Sequence, residues 1–464
     1  MQGLFPFMKS AANYTSGSIA GTMIRTMIAM LPGTLAISGY NIADTFFVAK
    51  LGTDPLAAMG FTFPVIMLVN CIFHGLGVGV MATVAHAVGG ARAAKAAKLV
   101  SAGMVLVALI ALLLGVIGFF TMDATFRRFG AEGSVLELVE GYMAIWYLGC
   151  ITAALAMIGN NLLIAVGDSR LGGLVMCCGL GINVLLDPLF IFGWGPFAGM
   201  GIRGAALATI LAQAFGAAVS AAALARRHNL WDFHAFAGRI VRAAWGKIIR
   251  FAIPATIGMI LMPVGNSVIT WITAQFGNSA VAGAAAAGRL EAVAFVLPMA
   301  LGISLMPMIA QNYGAKLYSR IHQCRRIAMR FALFFELTMA LLYWIFAPYL
   351  VRFFTRDAEV ASIMTSYLRI VPWGFGLIEI HRYSGFFFTG SGRPRASAWL
   401  AALRIVGLLI PFSLLALRLH SLTGLFWARL AADVLSGAVG WSLVRRLTRR
   451  FPADGMLEHK GQKR

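Results

Sequence analysis

Apolar runs long enough to cross a bilayer, about 20 residues each, recur along almost the whole chain. They fall near 20–48, 55–84, 98–121, 136–158, 170–193, 200–224, 245–273, 280–311, 327–349, 360–388, 397–418 and 421–444. Twelve such runs joined by short polar stretches point to an all-α integral membrane protein. Composition removes the soluble alternative. Of 464 residues, 60% are hydrophobic and only 12% charged, whereas soluble domains carry about 25% charged residues. A soluble chain of this length has too little polar surface to cover so much apolar surface.

The formal net charge is +21, which in a soluble protein would suggest a nucleic-acid partner. Here the basic residues sit in short loops between apolar runs, so no nucleic-acid role is expected. They set topology instead. One set of loops holds Arg92, Lys95, Lys98, Arg170, the stretch from Arg226 to Arg250, Lys316, Arg320, Arg325, Arg326, Arg393 and Arg395. The opposite set holds far fewer. The positive-inside rule places the richer set and both termini in the cytoplasm, for a multi-pass protein of the cell inner membrane. No small-residue cleavage pattern closes the first run, so it is expected to stay as a span. The five cysteines fit no zinc spacing and read as packing residues.

The chain repeats itself. Leu51-Gly52 recurs as Phe276-Gly277, Tyr142 as Tyr367 and Gly167 as Gly392, each 225 positions on; Gly90-Ala91-Arg92 recurs as Gly314-Ala315-Lys316 at 224. Each half then holds six helices. An even number gives both halves the same orientation, related by an axis along the membrane normal, with the transport cavity expected between them. The expected divisions are an N-terminal lobe at 1–225, a cytoplasmic linker at 226–244, a C-terminal lobe at 245–446 and a polar tail at 447–464.

Ionisable residues inside spanning helices carry the functional signal, since an Asp at the bilayer centre costs about 2.5–3.5 kcal/mol on insertion scales. Asp44 lies late in the first run and Asp187 late in the fifth; both helices run outward, so both carboxylates reach the outer half of the membrane. Asn183 shares the Asp187 face, four residues earlier. Tyr142 in the fourth run and Thr209 in the sixth, both running inward, reach a similar depth. This cluster is expected to bind the coupling cation: sodium held by Asp44, Asn183, Asp187 and Thr209, or a proton kept on one carboxyl by burial and mutual repulsion. The position 225 after Asp44 is Ile269, so the cluster is not duplicated. In the second half, Arg289, Glu291 and Glu379 are expected to line the substrate cavity, with internal pairing as the alternative; Arg289 reads as the one deep arginine. His74, His86 and His381 read as local hydrogen-bonding residues. Pro32, Pro254 and Pro263 permit kinks, and the bend near Pro32 is expected to follow the charge state of Asp44.

The segments IADTFFVAKLGTDPLAAMG from Ile42, LDPLFIFGWGP from Leu186, GIRGAALAT from Gly201 and PMIAQNYGAK from Pro307, with AVGDSR from Ala165 and TGSGRPR from Thr389, resemble the multidrug and toxic compound extrusion (MATE) family over essentially the full length. The resemblance implies twelve helices in two pseudo-symmetric six-helix lobes around a central cleft. It implies antiport driven by a proton or sodium gradient, of substrates that are often organic cations. It implies Asp44 as the first-helix acid, with Tyr142, Asn183, Asp187 and Thr209 as the polar cluster around it. The first-helix proline of the family falls a turn earlier, at Ala29 here, and its seventh-helix acid is absent. The expected function is therefore export of small, often cationic, organic compounds in exchange for H+ or Na+. The alternative is a flippase of a lipid-linked or amphipathic substrate. Flippases of this superfamily have strongly basic cavities, whereas one deep arginine is expected here. No nucleophile–base pair or metal cluster at helical spacing supports an enzyme. No cofactor is expected beyond the coupling ion, and one chain suffices for the architecture.

Overall fold

The structure, a computed structural model, describes residues 14–194, 197–232, 238–452 and 454. Positions 233–237 of the expected linker, and 453 and 455–464 of the expected tail, lie outside the described residues.

The first half contains α1 (Ile19–Ala49), α2 (Thr53–Gly89), α3 (Ala93–Arg128), α4 (Gly133–Leu148), α5 (Cys150–Ala165), α6 (Ser169–Phe192) and α7 (Ile202–Ala222). A short hairpin, β1 (Gly193–Trp194) with β2 (Phe197–Ala198), joins the last two. The second half contains α8 (Gly238–Ala274), α9 (Asn278–Ala294), α10 (Val296–Gly314), α11 (Tyr318–Phe354), α12 (Ala358–Ile370), α13 (Phe375–Gly390), α14 (Pro394–Ala402), α15 (Ile410–Arg418) and α16 (Leu422–Arg449).

Among the described residues, nine helical segments are long and apolar enough to span a membrane alone. The run expected at 136–158 is the pair α4–α5, bent by 52° at Gly149, and that at 280–311 is the pair α9–α10, bent by 56°. The twelfth, α12–α13, is interrupted by a tight turn at Val371–Gly374 and carries Arg369, Glu379 and Arg382, which lowers its apolarity. Large apolar side chains stand exposed along the helices, Phe120, Leu185, Phe334 and Phe353 among them. In water such a surface would drive association; in a bilayer it is solvated.

The loops carry the repeat in their backbones. Positive φ angles occur at Gly52 and Gly277, at Gly167 and Gly392, and at Ala91 and Lys316, all 225 apart. Glycine takes this left-handed conformation without a Cβ penalty. The third pair corrects the register expected there: Gly89, ending α2, matches Gly314, ending α10, so the offset is 225 rather than 224.

Two compact units form, Arg25–Thr256 and Tyr14–Ile24 with Ile257 onward. In the first, α7 packs on α4, α5 and α6, and α2 on α3, α4 and α5. In the second, α13 is central, packed on α10, α11, α14 and α16. That position shields its charged residues from lipid. The start of the described chain is anchored in this unit: the Arg320 guanidinium donates to the Gly17 carbonyl at 2.9 Å and the Asn312 amide to the Tyr14 carbonyl at 3.0 Å.

Candidate functional site

In the first unit, α1 and α6 run side by side because glycine removes the side chains between them. A Cβ on Gly173 would stand 2.2 Å from the Ala29 carbonyl oxygen, one on Gly33 would stand 2.9 Å from the Met176 sulfur, and one on Gly39 would stand 3.1 Å from Leu180. The same ladder, continued outward, sets Asp44 opposite Asp187. A second close approach brings in α7: a Cβ on Gly204 would stand 2.3 Å from the Phe190 carbonyl oxygen. This antiparallel crossing lies one turn from Asp187, and α7 continues inward from it to Thr209.

Asp44, Asn183, Asp187, Thr209 and Tyr142 are all buried. The Thr209 hydroxyl donates to Asp44 Oδ2 at 3.5 Å, and the Asn183 amide donates to Asp187 Oδ1 at 3.4 Å. The two carboxyl groups face each other, Asn183 also reaches Asp44, and Tyr142 lies within electrostatic range of both acids. The structure thus gathers all five residues singled out in this half. It adds Tyr40, which sits one helical turn before Asp44 and donates to the Thr209 carbonyl at 3.2 Å. The i, i+4 spacing was a readable signal for it.

The cluster is short of donors. Asp44 Oδ1, Asn183 Oδ1 and Asp187 Oδ2 are buried with no hydrogen-bond partner. Each unsatisfied buried acceptor costs about 1–3 kcal/mol, more when charged. Three acceptor oxygens, two from facing carboxylates, suit a proton or a small hard cation.

In the second unit, Tyr367, the counterpart of Tyr142, sits among ion pairs. Arg429 on α16 pairs with Glu291 and donates to the Tyr367 hydroxyl, while Tyr367 donates to Glu291. Arg404 binds Asp433 at 2.7 Å, and Arg382 binds Glu379 at 3.0 Å. Glu291 and Glu379, expected along the cavity, are therefore held in internal ion pairs. Arg289 is exposed and makes no ion pair among the described residues; Arg404 and Arg429 are the arginines that the helices of this unit enclose in ion pairs. The prolines singled out as kink positions lie inside helices. Pro32 lies within an unbroken α1, and Pro254 and Pro263 lie within an unbroken α8. The two broken spans bend at Gly149 and beside Phe295.

Helices exposed to lipid, a duplicated six-helix plan and one buried carboxylate pair together define a multi-pass transporter rather than an enzyme. The MatE family profile matches residues 29–189 and 254–415, two stretches whose starts are 225 apart, as the repeat requires. The chain belongs to the MATE family of multidrug efflux transporters. It is 32% identical over 440 residues to an FAD transporter of Shewanella oneidensis, covering 95% of this chain and 97% of that one. It is 23% identical over 446 residues to the multidrug export protein MepA of Staphylococcus haemolyticus, covering 95% and 96%. Among solved structures, the Vibrio cholerae MATE transporter VcmN in the bent form aligns with a TM-score of 0.88 at 29% identity, covering 93% of this chain and 97% of that one.

Proposed function

We propose that this transporter is a secondary active antiporter of the cell inner membrane, with both termini cytoplasmic, that exports small organic molecules in exchange for a proton or sodium ion bound at Asp44 and Asp187. The observation that carries the reading is the set of three unpartnered oxygens on Asp44, Asn183 and Asp187. A bound cation satisfies them and draws α1 and α6 together. Its release leaves two facing carboxylates that repel, and α1 yields because Gly33 and Gly39 leave its contact with α6 thin. One charge moved through 100 mV supplies about 2.3 kcal/mol, enough to hold a concentration ratio of about 50-fold for a neutral substrate. A single site therefore suffices for useful export, and a single chain is the working unit.

The substrate has two readings. Organic cations suit a family of multidrug exporters. A flavin nucleotide is favoured by the 32% identity to an FAD transporter along 95% of the chain, against 23% to the drug exporter MepA of Staphylococcus haemolyticus. Proteoliposomes with a proton or a sodium gradient imposed separately, loaded with ethidium or with FAD, decide both questions. Asp44→Asn is expected to abolish gradient-driven movement of whichever probe the wild type carries. Transport by Asp44→Asn at the wild-type rate would refute the coupling role.

A further inference from the structure

The ionisable groups inside the second unit do not balance. Among the described residues, four carboxyl groups lie in its interior, on Glu291, Glu336, Glu379 and Asp433, against three enclosed guanidinium groups, on Arg382, Arg404 and Arg429; Arg289 and Arg369 on the same spans are exposed. Three acids are taken: Arg429 holds Glu291, Arg382 holds Glu379 and Arg404 holds Asp433. Glu336 is left over. Its side chain is fully buried, and neither carboxyl oxygen has a hydrogen-bond partner.

Its position is fixed by helix periodicity. Ala332, Glu336, Ala340, Tyr343, Ala347 and Val351 are the buried stripe of α11, spaced by three or four residues. An apolar residue is the ordinary occupant of such a stripe, and Ala111 is buried at the matching position of α3. Tyr343 donates to the Leu290 carbonyl at 2.6 Å, so the stripe faces α9 beside Glu291. On its other flank α13 closes on α11, where a Cβ on Gly376 would stand 3.4 Å from the Leu333 Cα. The charged groups that act on Glu336 are Glu379, Arg382 and Glu291. Tyr343 and Tyr383 face the same interior through α11 and α13. The Arg382 guanidinium is committed to Glu379 and lies 4.4 Å from the centre of the Phe295 ring. His381 answers to Arg404 and Arg382.

A buried carboxylate with no partner costs several kcal/mol. One monovalent cation removes that cost and brings the four acids and three bases to balance. We propose that Glu336 is a second cation-binding group of this transporter, taking up one proton or one sodium ion inside the second unit. This goes beyond the antiport reading and stands apart from it, because it rests on a different unit and on none of the residues around Asp44.

The test uses the purified full-length chain with the first site silenced. Asp44→Asn and Asp44→Asn with Glu336→Gln are compared by proton uptake in a pH-stat titration and by equilibrium binding of radioactive sodium. The second substitution is expected to remove about one cation equivalent per molecule. Loss of proton uptake alone identifies a proton; loss of the radioactive label identifies sodium. Equal uptake by the two proteins overturns the proposal. Glu336→Met serves as a second variant that fills the stripe with an apolar side chain. It is expected to lose the same equivalent and to melt no lower than its parent. A lower melting temperature with unchanged uptake would show a structural acid only. Failure of the Asp44 coupling role would appear in gradient-driven transport and would leave this count untouched.

Discussion

Gly173→Ala is the smallest change that the geometry expects to disturb the carboxylate pair. The added methyl carbon would stand 2.2 Å from the Ala29 carbonyl oxygen. The obstacle is backbone, so no side chain can swing away. Non-bonded contacts settle at about 3.5 Å, which requires α1 and α6 to part by about 1 Å. The Thr209 bond to Asp44 already spans 3.5 Å, the outer limit for a hydrogen bond, and it does not survive that separation. Overpacking of this kind costs about 1–3 kcal/mol. The control lies on the same helix. Gly179 and Gly181 have no atom within 4 Å of an added Cβ, and alanine is favoured over glycine inside a helix by about 0.5–1 kcal/mol. The two kinds of substitution are therefore expected to act with opposite sign. Gly173→Ala lowers the melting temperature of the purified protein and cuts ethidium or FAD export; Gly179→Ala and Gly181→Ala raise the melting temperature slightly and preserve export. If Gly173→Ala melts and transports as Gly179→Ala does, the ladder does not hold the site together and the reasoning is refuted.

Arg429→Met leaves Glu291 without its cation and is expected to destabilise the chain by about 3 kcal/mol, the low end for a buried pair because Arg429 is partly exposed. Adding Glu291→Gln should restore most of that in a thermal-melt double-mutant cycle; simple additivity would contradict the pairing. Pro32→Ala restores a helix hydrogen bond in α1 and is expected to slow export of the transported probe by stiffening the helix that carries Asp44; wild-type export would remove the idea. Asp168, between α5 and α6, titrates outside the membrane. Burial pushes its carboxyl up, but the His228 hydrogen bond and the Arg227 charge outweigh burial and hold it below the usual carboxylate range. A depressed folded value means that its stabilisation is complete above the unfolded value of about 3.9 and is lost as pH falls through the folded one. Asp168→Ala, which also removes the cap on Leu171, should cost about 2 kcal/mol near neutral pH and less in acid. A constant deficit across pH would exclude the charge role.

The membrane class, the twelve spans and the repeat were legible because bilayer thickness and loop glycines leave marks in any single sequence. The cluster around Asp44 was legible because topology alone sets the depth of each residue. Tyr40 was one turn from a residue already singled out. The second unit was harder. Arg382, Arg404, Arg429 and Asp433 are visible as charges in apolar runs, but pairing depends on helix rotation and crossing, which periodicity does not supply for α13 and α16, both polar on more than one side. The same limit applies to Arg289: its depth along α9 was readable, its face was not. The bend between α9 and α10 falls at Phe295, and Pro298, three residues on, has no N–H to give the Ala294 carbonyl, a signal that the sequence carried.

Besides the loss of the Asp44 counterpart, which is Ile269, the two halves differ in their last helices. The helices α7 and α16 begin at Ile202 and Leu422, 220 apart, after a shorter connection in the second half. By that register the counterpart of Thr209 is Arg429, and the counterpart of Tyr142 is Tyr367. In the first half these positions flank carboxylates with unpartnered oxygens, where we propose that the coupling cation binds. In the second, the chain supplies the cation itself, as a guanidinium bonded to Tyr367 and Glu291. A tethered charge cannot leave with the gradient, so this position in the second half is fixed. The argument turns on whether the Arg429 position still accepts a free ion once the tether is gone. Arg429→Thr, which restores the first-half residue, should therefore gain cation binding beside Glu291. If sodium and proton uptake stay at the parent level in that variant, Glu291 takes no free ion once its guanidinium is removed and the argument fails.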